Sequence, residues 1–180
     1  NNGLVVVGVH TPEFEFEKKT ENVNNALKQY QIKYPVAQDN DYQTWNAYAN
    51  QWWPAKYFVN HRGELVGRRI GEGDYEGTEK LIQQLLRDAG TLAEEMPLDP
   101  VGTATDFSQI TTPEIYFGHN RISHFGGRVQ PDQEVNFGAA PVTVPANTFF
   151  LTGTWYFGPE SASLRSPRGS ITISYQANKA

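Results

Sequence analysis

Apolar and polar segments alternate along the first 90 residues in a way that predicts strands and helices in turn. Residues 4–9 are apolar or Gly throughout and rich in Val, which is typical of a strand buried on both faces inside a parallel sheet. Asn22 fits a helix N-cap. Apolar residues follow it at helical spacing, namely Val23, Ala26, Leu27, Tyr30 and Ile32. Residues 34–37 predict a second strand. Asp39-Asn40-Asp41 predicts a turn and a cap for a second helix over residues 44–49.

A hairpin and a third helix complete this first part. Residues 56–59 and 64–70 flank a turn that ends in Gly63, and they predict two paired strands. Residues 76–87 predict the clearest helix, with Gly90 at the place of a C-cap. The element order is β-α-β-α-β-β-α. It predicts an α/β domain over residues 1–90, with parallel strands first and an antiparallel hairpin afterwards.

The pattern changes after Gly90. Residues 91–113 contain three prolines and many threonines without sustained periodicity, so we interpret them as a linker. Over residues 114–180, short strand candidates alternate with glycine and proline turns, which predicts an all-β sandwich or barrel. The strand candidates are residues 115–117, 142–144, 148–153, 155–157 and 170–175.

Composition narrows the classes of function. The formal net charge of the 180 residues is −5. Nucleic acid and anionic membranes both favour a basic surface, so the charge suggests neither as a partner. No apolar run approaches the roughly 20 residues that a membrane-spanning helix needs. The sequence contains no Cys, which excludes a disulfide bond or a thiol nucleophile within these residues. No motif predicts a cofactor, and no cluster of ligands predicts a metal site.

Two segments of the first part are candidates for chemistry. Glu13 follows the carboxyl end of the first strand, where open α/β sheets tend to bind ligands. A carboxylate there could exchange a proton with a thiol, and a solvated loop carboxylate is the alternative. Trp53-Pro54 precedes the third strand. On general grounds Pro54 predicts a rigid trans turn, because cis bonds are uncommon even before proline.

Aromatic residues of the second part could bind sugar. Tyr116, Trp155 and Tyr156 offer ring faces that suit the apolar face of a pyranose. Alternating strands must turn about half of such residues inward. A sugar-binding platform and a plain aromatic core therefore both stay open.

Several motifs resemble those of a known family. The first part looks like the redoxin domain of DipZ-type thiol–disulfide interchange proteins over about residues 3–89. The resemblance is carried by Leu4-Val5-Val6-Val7-Gly8-Val9-His10-Thr11-Pro12-Glu13-Phe14, Tyr34-Pro35-Val36-Ala37, Asp39-Asn40-Asp41, Trp45-Asn46-Ala47-Tyr48, Trp53-Pro54-Ala55-Lys56-Tyr57, Gly71-Glu72-Gly73 and Tyr75-Glu76. A weaker resemblance, carried by Thr112-Pro113-Glu114-Ile115-Tyr116-Phe117-Gly118 and the Trp155 region, covers the module that follows in those proteins. That module is similar to jelly-roll carbohydrate-binding domains.

The resemblance implies a role in thiol–disulfide exchange. In that family an extracytoplasmic thioredoxin-like domain of the TlpA type is tethered to the membrane. An integral membrane domain related to cytochrome c biogenesis proteins passes electrons to it, and a C-x-x-C pair then reduces protein disulfides. Glu13 matches a catalytic carboxylate near the dithiol. Pro54 matches a cis-proline, and Trp53 precedes it in the substrate-binding loop.

The missing cysteines separate this chain from that pattern. Disulfide exchange requires a thiolate, and no Cys position can be carried over. We therefore expect a thioredoxin-like domain that is incomplete at its N-terminus, followed by a jelly-roll-like module. This expectation makes the chain a fragment of an oxidoreductase that is inactive alone. The alternative is a non-catalytic module that binds glycan or protein in the cell envelope. Peroxide reduction of the peroxiredoxin kind is less favoured, since it also needs a thiolate.

Overall fold

The chain folds into two compact units. A computed structural model describes residues 2–94, 96–98 and 111–176. Residues 1–105 belong to unit 1 and residues 106–180 to unit 2. The finer division into a domain over 1–90, a linker over 91–113 and a module over 114–180 stays a prediction. In the described residues, no helix is long and apolar enough to cross a membrane.

Unit 1 contains the elements in the predicted order. They are β1 (Gly8–His10), a 3-10 helix (Glu15–Lys18), α1 (Thr20–Gln29), β2 (Val36–Gln38), α2 (Gln43–Ala47), β3 (Ala55–Val59), β4 (Leu65–Ile70) and α3 (Tyr75–Asp88). β1 pairs with β2 in parallel, and β3 pairs with β4 antiparallel. In the described part of the chain these are two separate two-stranded sheets.

The prediction that residues 4–9 form a buried strand is wrong. Only Gly8–His10 is a strand, and Val5 and Val7 are 78% and 58% exposed. The apolar run indicates that these residues tend to be buried, but a strand is buried only when it has neighbours on both faces and at both edges. β1 has a described strand partner in β2 alone, which leaves most of the run accessible.

The helices agree with the pattern except at their ends. α1 begins at Thr20 rather than after Asn22. Asn22 does not cap the helix, and its side-chain amide donates a hydrogen bond of 2.7 Å to the Phe16 carbonyl. α2 ends at Ala47, two residues before its predicted end. α3 confirms the prediction for residues 76–87, with one more residue at each end. Gly90 follows it at a φ of 72°, a left-handed conformation that glycine adopts without a steric penalty.

Unit 2 is built around one long central strand. Its strands are β5 (Glu134–Phe137), β6 (Thr148–Phe157), β7 (Ala162–Leu164) and β8 (Ser170–Ser174). β6 pairs antiparallel with each of the other three. The two predicted strands 148–153 and 155–157 are therefore a single strand. Residues 115–117 and 142–144 are not strands, whereas β5 and β7 were not predicted.

Gly153 explains why β6 looked like two strands. A glycine inside a strand pattern usually marks a break or a bulge, and Gly153 has a φ of 88°. The chain nevertheless continues as one strand, which pairs with β8 up to Thr152 and with β5 from Gly153 onward. The backbone of residues 168–169 lies against Gly153. A Cβ at Gly153 would lie 2.6 Å from the Arg168 carbonyl oxygen. The close approach, which only the folded chain reveals, requires glycine there.

The core of unit 2 lies on one face of β6. Phe149, Leu151, Trp155 and Phe157 are buried there, and they occupy alternate positions of the strand on either side of Gly153, as the two-residue period requires. Partly buried apolar residues pack against them, namely Ile115, Phe117, Ile122, Phe125, Val129, Val135, Phe137 and Ala162. The aromatic content of this half of the sequence thus forms a core. The jelly-roll topology of these strands stays a prediction.

Candidate functional site

The loop before β3 contacts the carboxyl end of β1. The indole N–H of Trp53 donates a hydrogen bond of 3.1 Å to the carbonyl oxygen of Thr11, and Thr11 directly follows the last residue of β1. The Trp53–Pro54 peptide bond is cis, as the family resemblance implied. We call Thr11, Glu13, Asp39, Trp45, Trp53 and Pro54 the rim.

Buried contacts fix the floor of the rim. Thr11 is 7% exposed and Pro12 is fully buried. The Thr11 hydroxyl donates to an Asp39 carboxylate oxygen at 3.2 Å, and the Tyr42 hydroxyl donates to the Pro12 carbonyl. Asp39 follows β2 directly. The carboxyl ends of the two parallel strands are therefore joined by side-chain hydrogen bonds.

Asp39 also caps the first turn of α2 and positions Trp45. Its two carboxylate oxygens accept the backbone N–H groups of Thr44 at 2.9 Å and Trp45 at 2.8 Å. The Trp45 ring in turn lies 4.2 Å from the Trp53 ring, centroid to centroid. Burial by itself would raise the pKa of Asp39, but the hydrogen bonds from Thr44, Trp45 and Thr11 outweigh it and lower the pKa below its ordinary value. Asp39 is therefore an ionised structural residue of the rim.

We expect Asp39→Asn to lower the melting temperature by several degrees at pH 7. Asn has the shape of the protonated carboxyl, so the variant removes the charge that the N–H groups stabilise. The pKa is lowered in the folded state, so this stabilisation is present above the ordinary value of 3.8. It is lost as the pH falls through the folded-state pKa.

Thermal denaturation followed by circular dichroism at pH 7 and at successively lower pH values checks this prediction. The gap between the parent chain and Asp39→Asn should narrow below pH 3.8, the ordinary value of the carboxyl. Asp41→Asn is the matched control, because Asp41 is exposed. A gap that stays constant across the acid range would contradict a role for the charge.

Glu13 lies two residues beyond Thr11 and is partly buried. Its backbone N–H donates to a carboxylate oxygen of Glu17 at 2.6 Å, so the 3-10 helix holds the backbone of Glu13 in place. His10 Nε2 lies 3.2 Å from the Glu17 carbonyl oxygen, so this ring nitrogen already has a hydrogen-bond partner nearby in the sequence. The catalytic role that the resemblance implies for Glu13 stays a prediction.

Trp53 and Pro54 differ in which of their groups a ligand could contact. The Pro54 carbonyl accepts the N–H of Gly71 at 2.8 Å, so it is occupied inside the sheet. The Trp53 side chain is held on Thr11 and Trp45 yet is still 51% exposed. In the described residues, the backbone N–H and C=O of Trp53 make no hydrogen bond. These groups are available to an extended ligand.

The aromatic candidates of unit 2 have separate environments. Trp155 is 7% exposed and belongs to the core, and its indole N–H donates to the Thr152 carbonyl at 2.8 Å. Its ring faces are therefore covered by neighbouring side chains. Tyr156 points to the opposite face of β6, where the Arg165 guanidinium lies 5.2 Å from its ring centroid. Tyr116 has Arg121 at 5.0 Å from its ring centroid. Because Trp155 is buried in the core, the three residues do not form one sugar-binding platform.

Comparison with known proteins agrees with the motifs. The chain is 37% identical over 179 residues to Protein DipZ of Mycobacterium bovis and of Mycobacterium tuberculosis, which is 98% of this chain and 26% of each relative. This chain is a relative of DipZ. Residues 112–180 also match the family model described as the thioredoxin-like C-terminal domain. NHL repeat-containing protein 2 of Bos taurus is 36% identical over 75 residues, 42% of this chain and 10% of that protein.

The similarity to DipZ bears out the family resemblance, and the thioredoxin-like description of the matching family model applies to residues 112–180. The chain spans about a quarter of the length of the DipZ relatives. The comparison leaves the jelly-roll topology and the individual site residues as predictions. In the part of the chain that the structure describes, no group of three or more His, Asp or Glu could hold a metal ion.

Sequence reasoning identified Asp39 and Trp45 only by their local roles, and it did not consider Tyr42. Asp39-Asn40-Asp41 was predicted to supply a turn and a cap for the second helix, and the hydrogen bonds from Thr44 and Trp45 to Asp39 confirm the cap. Trp45 was predicted as a residue of that helix. Tyr42 contacts Pro12 because β1 and β2 pair in parallel, and Trp45 contacts Trp53 because the chain turns between α2 and β3. The local sequence encodes neither contact.

Proposed function

We propose that this chain is the substrate-binding part of an extracytoplasmic thiol–disulfide oxidoreductase. In this proposal, a C-x-x-C pair outside these 180 residues reduces protein disulfides. A membrane-embedded partner domain of the parent protein supplies the electrons. The observation that carries the proposal is the hydrogen bond from Trp53 to Thr11 at 3.1 Å. It joins the loop with the cis-proline to the end of β1, where α/β sheets bind ligands.

The open edges of unit 1 are consistent with a missing strand. In the described residues β1 pairs with β2 alone, and β3 pairs with β4 alone. The exposed apolar residues Leu4, Val6 and Val9 lie in or just before β1. A further strand paired at these edges would cover apolar surface and satisfy backbone groups. The proposed strand before the dithiol helix would pair with one of these edges and cover the exposed apolar residues.

The role of each rim residue follows from its contacts. The exposed ring and unpaired backbone of Trp53 would bind an extended substrate segment beside its cysteine. Pro54 would set the direction of that segment while its own carbonyl stays in the sheet. Glu13 would exchange a proton with a thiol. Exchange itself requires a thiolate from the parent protein, so the 180-residue chain alone would be inactive.

Disulfide reductase activity of the full-length polypeptide tests this proposal. We expect the full-length protein to reduce insulin disulfides in the presence of dithiothreitol, and the 180-residue chain to add nothing to the rate of the reductant alone. A C-x-x-C pair within about 40 residues before Asn1 is expected, on the usual size of a strand-plus-helix unit. A full-length protein that carries an intact dithiol but reduces no disulfide would contradict the proposal.

A second candidate function is glycan binding by unit 2 in the cell envelope. The outer face of the sheet supports it, because Tyr156 lies directly opposite Glu134 on β5 and Ser163 on β7. Residues paired in this way share one face. Arg165 approaches both the Tyr156 ring and, at 3.8 Å, the Glu134 carboxylate. An aromatic ring flanked by charged and hydroxyl groups suits a sugar, which has an apolar face and polar edges.

Titration calorimetry with soluble cell-wall polysaccharides tests the second candidate. If the chain binds one of them, Tyr156→Ala should weaken binding about tenfold. Tyr175→Ala is the matched control, since Tyr175 is an exposed tyrosine of the same unit that lies just after β8. Binding that is equally sensitive to both substitutions, or absent for every polysaccharide, would rule out the Tyr156 face as a sugar site.

A further inference from the structure

Met96 is the chain's one methionine, and the chain has no Cys. It lies after α3, and its side chain is 48% exposed. The thioether sulfur accepts a hydrogen bond of 3.4 Å from the Asn2 amide. Met96 also lines a groove on α3 together with Asn2, Leu4, Glu79, Ile82, Gln83, Leu86 and Leu92. An accessible thioether at the edge of an apolar groove is open to oxidants on one side and packed on the other.

Gln83 holds the backbone of Met96 on the helix. The Gln83 side chain is 3% exposed. Its amide oxygen accepts the Met96 N–H at 3.0 Å, and its amide nitrogen donates to the Met96 carbonyl at 3.1 Å. The same nitrogen donates to Glu79 at 2.9 Å. A buried amide that satisfies both backbone groups of one residue fixes the chain at that point.

The residues between α3 and Met96 depend on this attachment. Leu92 is 9% exposed, and its N–H lies 3.3 Å from the Leu86 carbonyl. The Thr91 hydroxyl donates to the same carbonyl at 3.1 Å. We call residues 91–94 and 96–98 the docked segment. It follows α3 and is held on it by Leu92 near one end and Met96 near the other.

We propose that Met96 is a reversible oxidation site that controls whether the docked segment stays on α3. The sulfur attacks one oxygen of hydrogen peroxide, an S–O bond forms as the O–O bond breaks, and water leaves. The sulfur loses the two electrons that the peroxide gains. Methionine sulfoxide reductases reverse the step, as two thiols become a disulfide and the oxygen leaves as water. Oxidation of Met96 does not depend on the proposed disulfide reduction.

Oxidation should favour release of the segment. A sulfoxide is polar and chiral, so it fits poorly against Leu4, Ile82 and Leu86. Placing it there without a hydrogen bond carries a desolvation cost. The Asn2 amide could donate to the new oxygen, but Asn2 is exposed, and water offers the same hydrogen bond. The loss of apolar packing therefore decides the direction, and the Gln83 hydrogen bonds open to solvent with the segment.

Hydrogen exchange of the Met96 amide tests the proposal on the chain itself. Dilute hydrogen peroxide should add one oxygen, which peptide mapping assigns to Met96. Exchange of the Met96 amide, which is bonded to Gln83, should then become at least about threefold faster. The Thr78 amide in the first turn of α3 is the internal reference and should not change. Methionine sulfoxide reductases A and B with dithiothreitol should restore the original rate.

Two variants separate oxidation from other effects of peroxide. Met96→Leu keeps the approximate volume of the side chain, and it should gain no oxygen at this position and show no change in exchange. Met96→Gln places a polar group there without oxidant, and its residue 96 amide should exchange faster than in Met96→Leu. Unchanged or slower exchange after oxidation would overturn the proposal. So would oxidation of Met96 more than about tenfold slower than that of free methionine.

Discussion

Replacing Trp53 with Ala is expected to lower kcat/KM for the proposed disulfide reduction by the full-length protein about tenfold to a hundredfold. The substitution removes the hydrogen bond to Thr11 and the ring contact with Trp45. Both contacts hold the loop against the end of β1. Losing them displaces Pro54 relative to that end and removes the ring that would contact the substrate. Steady-state rates with a disulfide-containing peptide measure the effect.

Trp52→Ala is the matched control for this prediction. Trp52 is the same residue type one position earlier, and it is 46% exposed. Its carbonyl accepts the Asn50 amide at 2.9 Å, an interaction that the substitution leaves in place. We expect kcat/KM to change less than about threefold in this variant. Equal losses in both variants would mean that Trp53 contributes only apolar surface. A melting temperature for each variant separates misfolding from altered binding.

The largest effect on stability is expected for Phe149→Ala, at about 3–5 kcal/mol in the free energy of unfolding of unit 2. The Phe149 side chain is fully buried. Its ring centroid lies 4.5 Å from that of Phe117 and 4.9 Å from that of Phe125. Truncation removes these contacts and leaves a cavity that the paired strands β6 and β8 cannot close. Such a loss is a large part of the stability of a small unit.

Hydrogen exchange of the β6 amides under native conditions measures this loss in unit 2 separately from unit 1. Val142→Ala is the control, because Val142 is fully exposed, and it should change the free energy by no more than about 0.5 kcal/mol. A loss below about 1 kcal/mol for Phe149→Ala would show that the surrounding residues repack. That result would contradict the tightly packed core described for β6.

Local sequence predicted the elements whose signals are complete within a few residues. The hairpin β3–β4 has its turn and both strands within residues 55–70, and α3 carries its apolar face and its terminal Gly90 within one stretch. β8 alternates over five residues. Local sequence failed for residues 115–117, which are apolar yet pack onto the core without pairing as a strand. It also failed for β5 and β7, which are short and pair only because β6 lies between them.

The rim shows the same division. Trp53, Pro54 and Glu13 were found through motifs, since each is recognisable beside its own neighbours. Asp39 and Trp45 also lie in motifs of the resemblance, but their contacts with Thr11 and Trp53 were not predicted, because the local sequence does not encode them. Trp155 and Tyr156 were both sugar-binding candidates in the sequence. The alternation along β6 separates them, and one is a core residue while the other lies on the outer face.

The sequence by itself determined the two-part organisation, the relationship to DipZ and the absence of a thiol, because composition and motifs need no partner in space. Only the tertiary structure decided which apolar residues are buried. Residues 4–7 have the strongest apolar pattern in unit 1 and are still exposed, whereas Phe149 and Phe157 are fully covered. Burial depends on what the rest of the chain brings to each side of a residue, and side-chain pattern gives only the preference for it.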